Sequence, residues 1–151
     1  METDQKVNKA LEAWQTFFTI NKHTTKLSQQ NAESLGISLQ QLSILHILHA
    51  SPGATLKEVT EILVSAKSTV SMSVEGLVNA GLVTRTASEE DRREINLKLT
   101  SEGEVLAIKS KRNAYSYRGI ALALEKMDEK DVETLIHLNK ELLSHLQEIQ
   151  F

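Results

Sequence analysis

Apolar residues recur at helical spacing over most of the chain and at strand spacing near its middle. Close to the N-terminus, Val7, Leu11, Trp14 and Phe18 fall at i, i+4, i+7 and i+11, with Ala10 and Phe17 beside them. That is one apolar stripe on a long helix, which Gly36 stops. Helix punctuation then repeats at short intervals. Ser38 and Gln41 have capping-box spacing ahead of Leu42, Leu45 and Leu48. Ser51, Pro52 and Gly53 form a turn, and Thr55 with Glu58 opens a short helix carrying Leu56, Val59, Ile62 and Leu63. Ser65 is placed to cap a third helix with the inner stripe Ala66, Val70, Val74 and Leu77, and Gly81 to end it in left-handed backbone. Two short helices so closely joined have helix-turn-helix spacing.

Residues 81–87 read as a strand. A charged turn at 88–92 follows, and Ile95, Leu97 and Leu99 then alternate with Glu94, Asn96 and Lys98 in a second strand, which together predict a hairpin. Thr100 or Ser101 begins the next helix, Ser101 and Glu104 having capping-box spacing. This helix carries Val105, Leu106, Ile108, Tyr115 and Leu122 and reaches about residue 124, and Asp128 caps a last one with Val132, Leu135, Leu138, Leu142, Leu146 and Ile149. The predicted fold class is mainly α with a small β-hairpin: a compact helix-helix-hairpin centre at 38–100 between outer helices at 1–35 and 101–151. Those outer helices carry more apolar surface than so small a centre can cover, and symmetric pairing of two copies is the simplest cover.

Composition narrows the function classes. A length of 151 residues fits one domain, and 4% aromatic residues with one proline favour helices over a β-sandwich. No apolar run approaches the ~18 residues of a membrane span, and the first residues lack a signal-peptide core, so a cytoplasmic protein without a membrane partner is expected. The absence of cysteine excludes disulfides and thiolate chemistry. There is no Gly-rich phosphate loop and no nucleophile elbow, so neither an enzyme nor a cofactor is expected. His46 and His49 share a helix face, but without a cysteine or an HExxH pattern they read as structural or pocket-lining groups rather than metal ligands. Net charge is −3, so a polyanion-binding surface would have to come from local placement of cations.

The stretch "VSAKSTVSMSVEGLVNAGLVTR" (64–85) is similar to the recognition helix and first wing strand of the MarR family of bacterial transcription regulators. "EEDRREINLKLTSEG" (89–103) resembles that family's wing: an acid, one residue, an arginine, an alternating strand, then Leu-Thr-x-x-Gly. The resemblance extends over the whole chain in element order. It implies a winged helix-turn-helix homodimer, with 1–35 and 101–151 interlocking between subunits and 38–100 binding a pseudo-palindromic double-stranded DNA operator. It also implies a repressor released by a small aromatic or phenolic effector, bound between the dimer helices and the winged part.

The same resemblance places Arg93 in the minor groove, where an arginine meets strongly negative potential. Asp91 would hold the wing tip in shape and Arg92 would reach a phosphate. With Val70, Val74 and Leu77 facing inward, Lys67, Ser68, Ser71, Met72 and Glu75 face outward and Thr69 packs at the margin. The expected DNA-contacting set is therefore Lys67, Ser68, Thr69, Ser71, Met72, Arg85, Arg92 and Arg93. Trp14, Phe18, His46, His49 and Tyr115 are the candidates for an effector pocket. The chain departs from the family at Met72 and Gly76, where many members carry basic residues. Leu56 to Arg93 holds five cations and six acids. That balance keeps open a second reading, a winged-helix protein-interaction module with weak or no DNA binding, against which the paired arginines Arg92 and Arg93 argue.

Overall fold

The computed structural model describes residues 2–89 and 93–150. Helix α1 (Glu2–Ser34) leads into α2 (Leu39–Ala50), α3 (Leu56–Leu63) and α4 (Lys67–Asn79). Strands β1 (Val83–Ala87) and β2 (Ile95–Leu99) follow, then α5 (Ser101–Arg112), α6 (Tyr115–Leu124) and α7 (Glu129–Glu148). The strands pair antiparallel, with Val83 opposite Leu99 and Ala87 opposite Ile95. No helix among the described residues is long and apolar enough to cross a membrane.

Both early capping boxes form. Ser38 Oγ accepts from Gln41 N while Gln41 Oε1 accepts from Ser38 N, and Thr55 and Glu58 repeat the exchange on α3. The core lies between these short helices. Ile44, Leu45 and Leu48 of α2 pack with Val59 of α3, Val70, Val74 and Leu77 of α4, Val83 and Leu97 of the hairpin, and Ala107 of α5. Truncating any of the large members to alanine would cost about 2–5 kcal/mol.

The Leu-Thr-x-x-Gly run at the end of the wing has a physical reason. Thr100 Oγ1 donates to Gly81 O at 2.6 Å and accepts from Gly103 N at 3.1 Å, and Thr100 N donates to Leu82 O at 3.0 Å. The carbonyl oxygen of Leu82 lies where a Cβ on residue 103 would be, so only glycine lets α5 start this close to the hairpin.

Several local expectations give way. Thr100 rather than Ser101 caps α5, and Glu104 turns to His49 instead of closing a capping box. Ala66, expected inside, is the exposed N-cap of α4 and offers no side-chain acceptor, while Ser65 Oγ donates back to Leu63 O at 3.2 Å. Ile62 is also on the surface. The helix expected to run from residue 101 to about 124 breaks at Asn113 and Ala114, and Asn113 N bonds back to Lys109 O at 3.2 Å. Asparagine competes with helix continuation through its own side chain, which makes it a natural stopping point. Asp128 holds the N-cap position of α7 without a side-chain cap bond.

The outer helices leave their stripes uncovered. Every residue of α1 from Asp4 to His23 is exposed, and so is every residue of α7 except Val132. Anchoring of α1 begins further along, where Leu27 meets Gly119 of α6 and Asn31 and Ala32 are buried.

Among the described residues, one non-glycine position has left-handed backbone. Val64, which ends α3 in the helix-turn-helix corner, adopts φ 48° and ψ 45° with its side chain 91% exposed. A left-handed L-residue costs roughly 1–2 kcal/mol, and β-branching makes it worse. Val64→Gly removes that strain but gives the unfolded chain about 0.5–1 kcal/mol of extra entropy. The expected net gain is about 0.5–1 kcal/mol, a rise of about 1–4 °C in the thermal midpoint by calorimetry. A lower midpoint would show that the exposed valine contributes more than its backbone costs.

Candidate nucleic-acid interface

Burial of Val70, Val74 and Leu77 fixes which way α4 faces. Lys67, Ser68, Thr69, Met72 and Glu75 are exposed, and Ser71 is half-buried beside them. Thr69 is therefore on the open surface rather than at the packing margin. Met72 is 76% exposed, a large apolar group on an otherwise polar face. Because no side chain caps α4, its first-turn N–H groups and the Lys67 ammonium present one positive end to an incoming anion.

That end of α4 meets α3 and the wing. Lys57 and Thr60 of α3, Lys67 of α4, and Arg93 and Ile95 at the wing line a shared cleft of about 450 Å³, with Glu61 and Glu94 at its sides. Three cations from three separate segments thus converge. Lys67 and Arg93 are among the residues the sequence nominates. Lys57 is not, and an outward position on an amphipathic helix was its only signal. Asp91 and Arg92, expected to organise and extend the wing tip, lie outside the described residues.

Arg85, also nominated as a DNA contact, has partners on α4. Its Nη1 lies 2.8 Å from Glu75 Oε2, and its Nη2 donates to Ser71 O at 3.4 Å. The guanidinium ties β1 to α4, and it neutralises an acid on the outward face of that helix. A half-exposed pair of this kind contributes about 0.2–1 kcal/mol, so its main effect is on geometry. Sequence spacing gave no sign of it, since ten positions separate the partners.

The effector-pocket candidates lie on three helices. Trp14 and Phe18 stack on the exposed part of α1, ring centroids 5.3 Å apart and planes inclined 13°. His46 and His49 project from α2 onto α5. His46 Nε2 is 2.7 Å from Ser110 Oγ, and His49 Nδ1 is 2.6 Å from Glu104 Oε2. Ser110 Oγ also lies 2.8 Å from Ala107 O, and when its hydrogen goes there, His46 donates from Nε2. Asn31 of α1 reaches the Ser110 carbonyl from the other side at 3.5 Å. Tyr115 is half-buried at the start of α6. Among the described residues no group of three or more acids and histidines is arranged to hold a metal ion.

Comparison with known proteins gives these features a context. Residues 35–94, from the end of α1 to the wing, match the family model described as MarR family. The organic hydroperoxide resistance transcriptional regulator of Bacillus subtilis is 28% identical over 118 residues, 78% of each chain. The crystal structure of a multiple antibiotic-resistance repressor (MarR) from Listeria monocytogenes is 30% identical, with TM-score 0.75 over 95% of this chain and 99% of that one. MepR, a transcription regulator of the Staphylococcus aureus multidrug efflux pump MepA, shares the fold at 22% identity, with TM-score 0.74 over 87% of this chain and 96% of that one.

The histidine junction carries a pH dependence. Burial, then Lys111, then His49 hold the protonation of His46 below the ordinary histidine range. The unfolded chain takes up this proton near pH ~6.5 while the folded chain does not, so protons favour unfolding. The contribution is fully present above about pH 6.5 and is lost as pH falls toward the lower folded value. The thermal midpoint is expected to fall between pH 7.5 and 5.5, and to fall less in His46→Gln. An equal drop in both proteins would assign the acid sensitivity to other groups.

Proposed function

The chain belongs to the MarR family of transcription regulators, and from that premise we propose that it is a dimeric, sequence-specific repressor that binds a pseudo-palindromic double-stranded DNA operator. The observation that carries the reading is the convergence of Lys57, Lys67 and Arg93 in one cleft, next to the exposed polar face of α4. A helix face bearing Ser68, Ser71 and Met72 fits a major groove. Serine bonds to phosphates or base edges, and the thioether of Met72 suits a thymine methyl. Arg93 at the adjoining wing then falls to the flanking minor groove, where it reads groove width.

A second copy of the chain completes the arrangement. The uncovered stripes of α1 and α7, with Leu11, Trp14, Phe18, Leu138, Leu142 and Leu146 all exposed, supply an apolar face for symmetric pairing. Pairing of this kind would present two winged centres to half-sites about one helical turn apart, ~34 Å. Release by a small aromatic or phenolic effector is the regulatory step we assign. Trp14, Phe18, Tyr115 and the His46–His49 face are its candidate contacts. Such a molecule acts only by binding one spacing of the winged centres better than the other.

Fluorescence anisotropy against DNA from immediately upstream of the protein's own gene, beside a scrambled duplex and at two salt concentrations, tests the proposal. Preference for the upstream duplex by about 10³-fold or more is expected. Arg93→Ala should weaken operator binding by about tenfold or more and lower the salt slope by about one. Feeble, equal binding to both duplexes, repeated in a selection from random sequence, would instead favour a protein-interaction module. The near balance of charge across 56–93 and the open Met72 would then be its surface.

A further inference from the structure

Behind the face just described, α4 is held by the first turn of α2 through an unusually close approach. Gln41 has two partners at once. Its Oε1 accepts from Ser38 N at 2.9 Å, closing the capping box, and its Nε2 donates to Ser73 O at 3.4 Å, across to α4. The neighbouring Gln40 Oε1 accepts from the Ser73 hydroxyl. The Gln41 amide can lie there because residue 76 has no side chain: a Cβ on Gly76 would stand 2.5 Å from Gln41 Nε2. Glycine in a helix interior is otherwise unfavourable, by ~1 kcal/mol relative to alanine. Gly76 is in the middle of α4 and its φ is not in the left-handed range, so the close approach is what it permits.

We propose that Gln41 is a positioning residue for DNA recognition, setting the roll of α4 against α2 through the bare backbone of Gly76. Ser73 and Gly76 directly follow Met72 and Glu75 in the chain, so the gripped and the presented sides of the helix are one residue apart. With side chains included, a helix is about 10–12 Å across, so a roll of about 10° moves an outward side chain by about 1 Å. That is enough to spoil a base-edge hydrogen bond, whose geometry is narrow. The grip also begins at the corner where α1 ends. Ile37 N bonds to Ala32 O at 3.2 Å, and Ser38 follows immediately. A shift of α1 against α2 therefore reaches the rear of the recognition helix through a single side chain.

The inference rests on the DNA-binding reading, and its test separates the two. Gln41→Glu keeps the capping box, because glutamate serves there as well as glutamine, but it sets a carboxylate oxygen against the Ser73 carbonyl. Binding is measured on the tightest duplex that wild-type protein recovers from a random-sequence selection, with a scrambled duplex alongside and thermal unfolding of each variant. The expected result is a loss of about tenfold or more in preference for the selected duplex, with a nearly unchanged thermal midpoint. Gly76→Ala, a helix-favouring change, should lose preference likewise. In a Gln41→Ala background the same alanine should cost little more, since the space has been vacated. If wild-type protein discriminates and both single variants discriminate equally well, the positioning role is wrong while the DNA reading stands. If wild-type protein shows no preference for any duplex, the DNA reading fails and the positioning role falls with it.

Discussion

Every side chain of α2 from Leu39 to His49 is buried or half-buried, and satisfying all of its faces at once is the constraint on which the remaining structure depends. Its apolar residues Ile44, Leu45 and Leu48 form the middle of the core. Of its polar residues, Ser43 bonds back within the helix to Leu39 O, and the other four have partners on other elements. Gln40 and Gln41 hold α4, while His46 and His49 hold α5. For half-buried groups such as these each bond contributes modestly to stability, and its main effect is to fix how the neighbouring helices sit. Helix α2 thus fixes, at opposite ends, the element proposed to face DNA and the element that leads to the outer helices.

The sequence was legible where the determinant was local. Ser38 with Gln41 and Thr55 with Glu58 are capping boxes complete within four residues, and both form. The alternation of Ile95, Leu97 and Leu99 places a strand because its period is set by the backbone itself. Legibility failed where two local signals competed or where the partner lay far away. Thr100 and Ser101 could each cap α5, and the docking of Thr100 onto Gly81 decides between them. The pairing of Arg85 with Glu75 was invisible because nothing adjacent in the chain showed the two within reach. Gly76 was visible only as a departure, and its meaning depends on Gln41, thirty-five positions earlier. The outer stripes were read correctly as apolar, yet no residue of the chain described here covers them.

Electrostatics at the candidate interface follow from placement more than from quantity. The helix-turn-helix and wing hold about as many acids as cations. Pairing Glu75 with Arg85 takes one acid out of opposition without adding a free charge, and Lys57, Lys67 and Arg93 are gathered on one cleft. A surface of this kind has a weak long-range pull on polyanions and depends more on short-range fit. Under the proposed function, the precise seating of α4 matters more here than it would on a strongly basic face.

The stretch of α1 from Asp4 to His23 is about 30 Å of helix, every residue of it exposed in one chain. Most of the stability of an amphipathic helix comes from packing of its apolar face, so a cover on this stripe would strengthen the order of the arm. If a second copy does so, folding of the arm and assembly become one equilibrium governed by mass action. The abundance of the protein in the cell then enters twice, once in completing the molecule and once in occupying its operator. Under the proposed function, and where neither step is saturated, halving the dose would lower operator occupancy by more than half, a threshold in protein copy number.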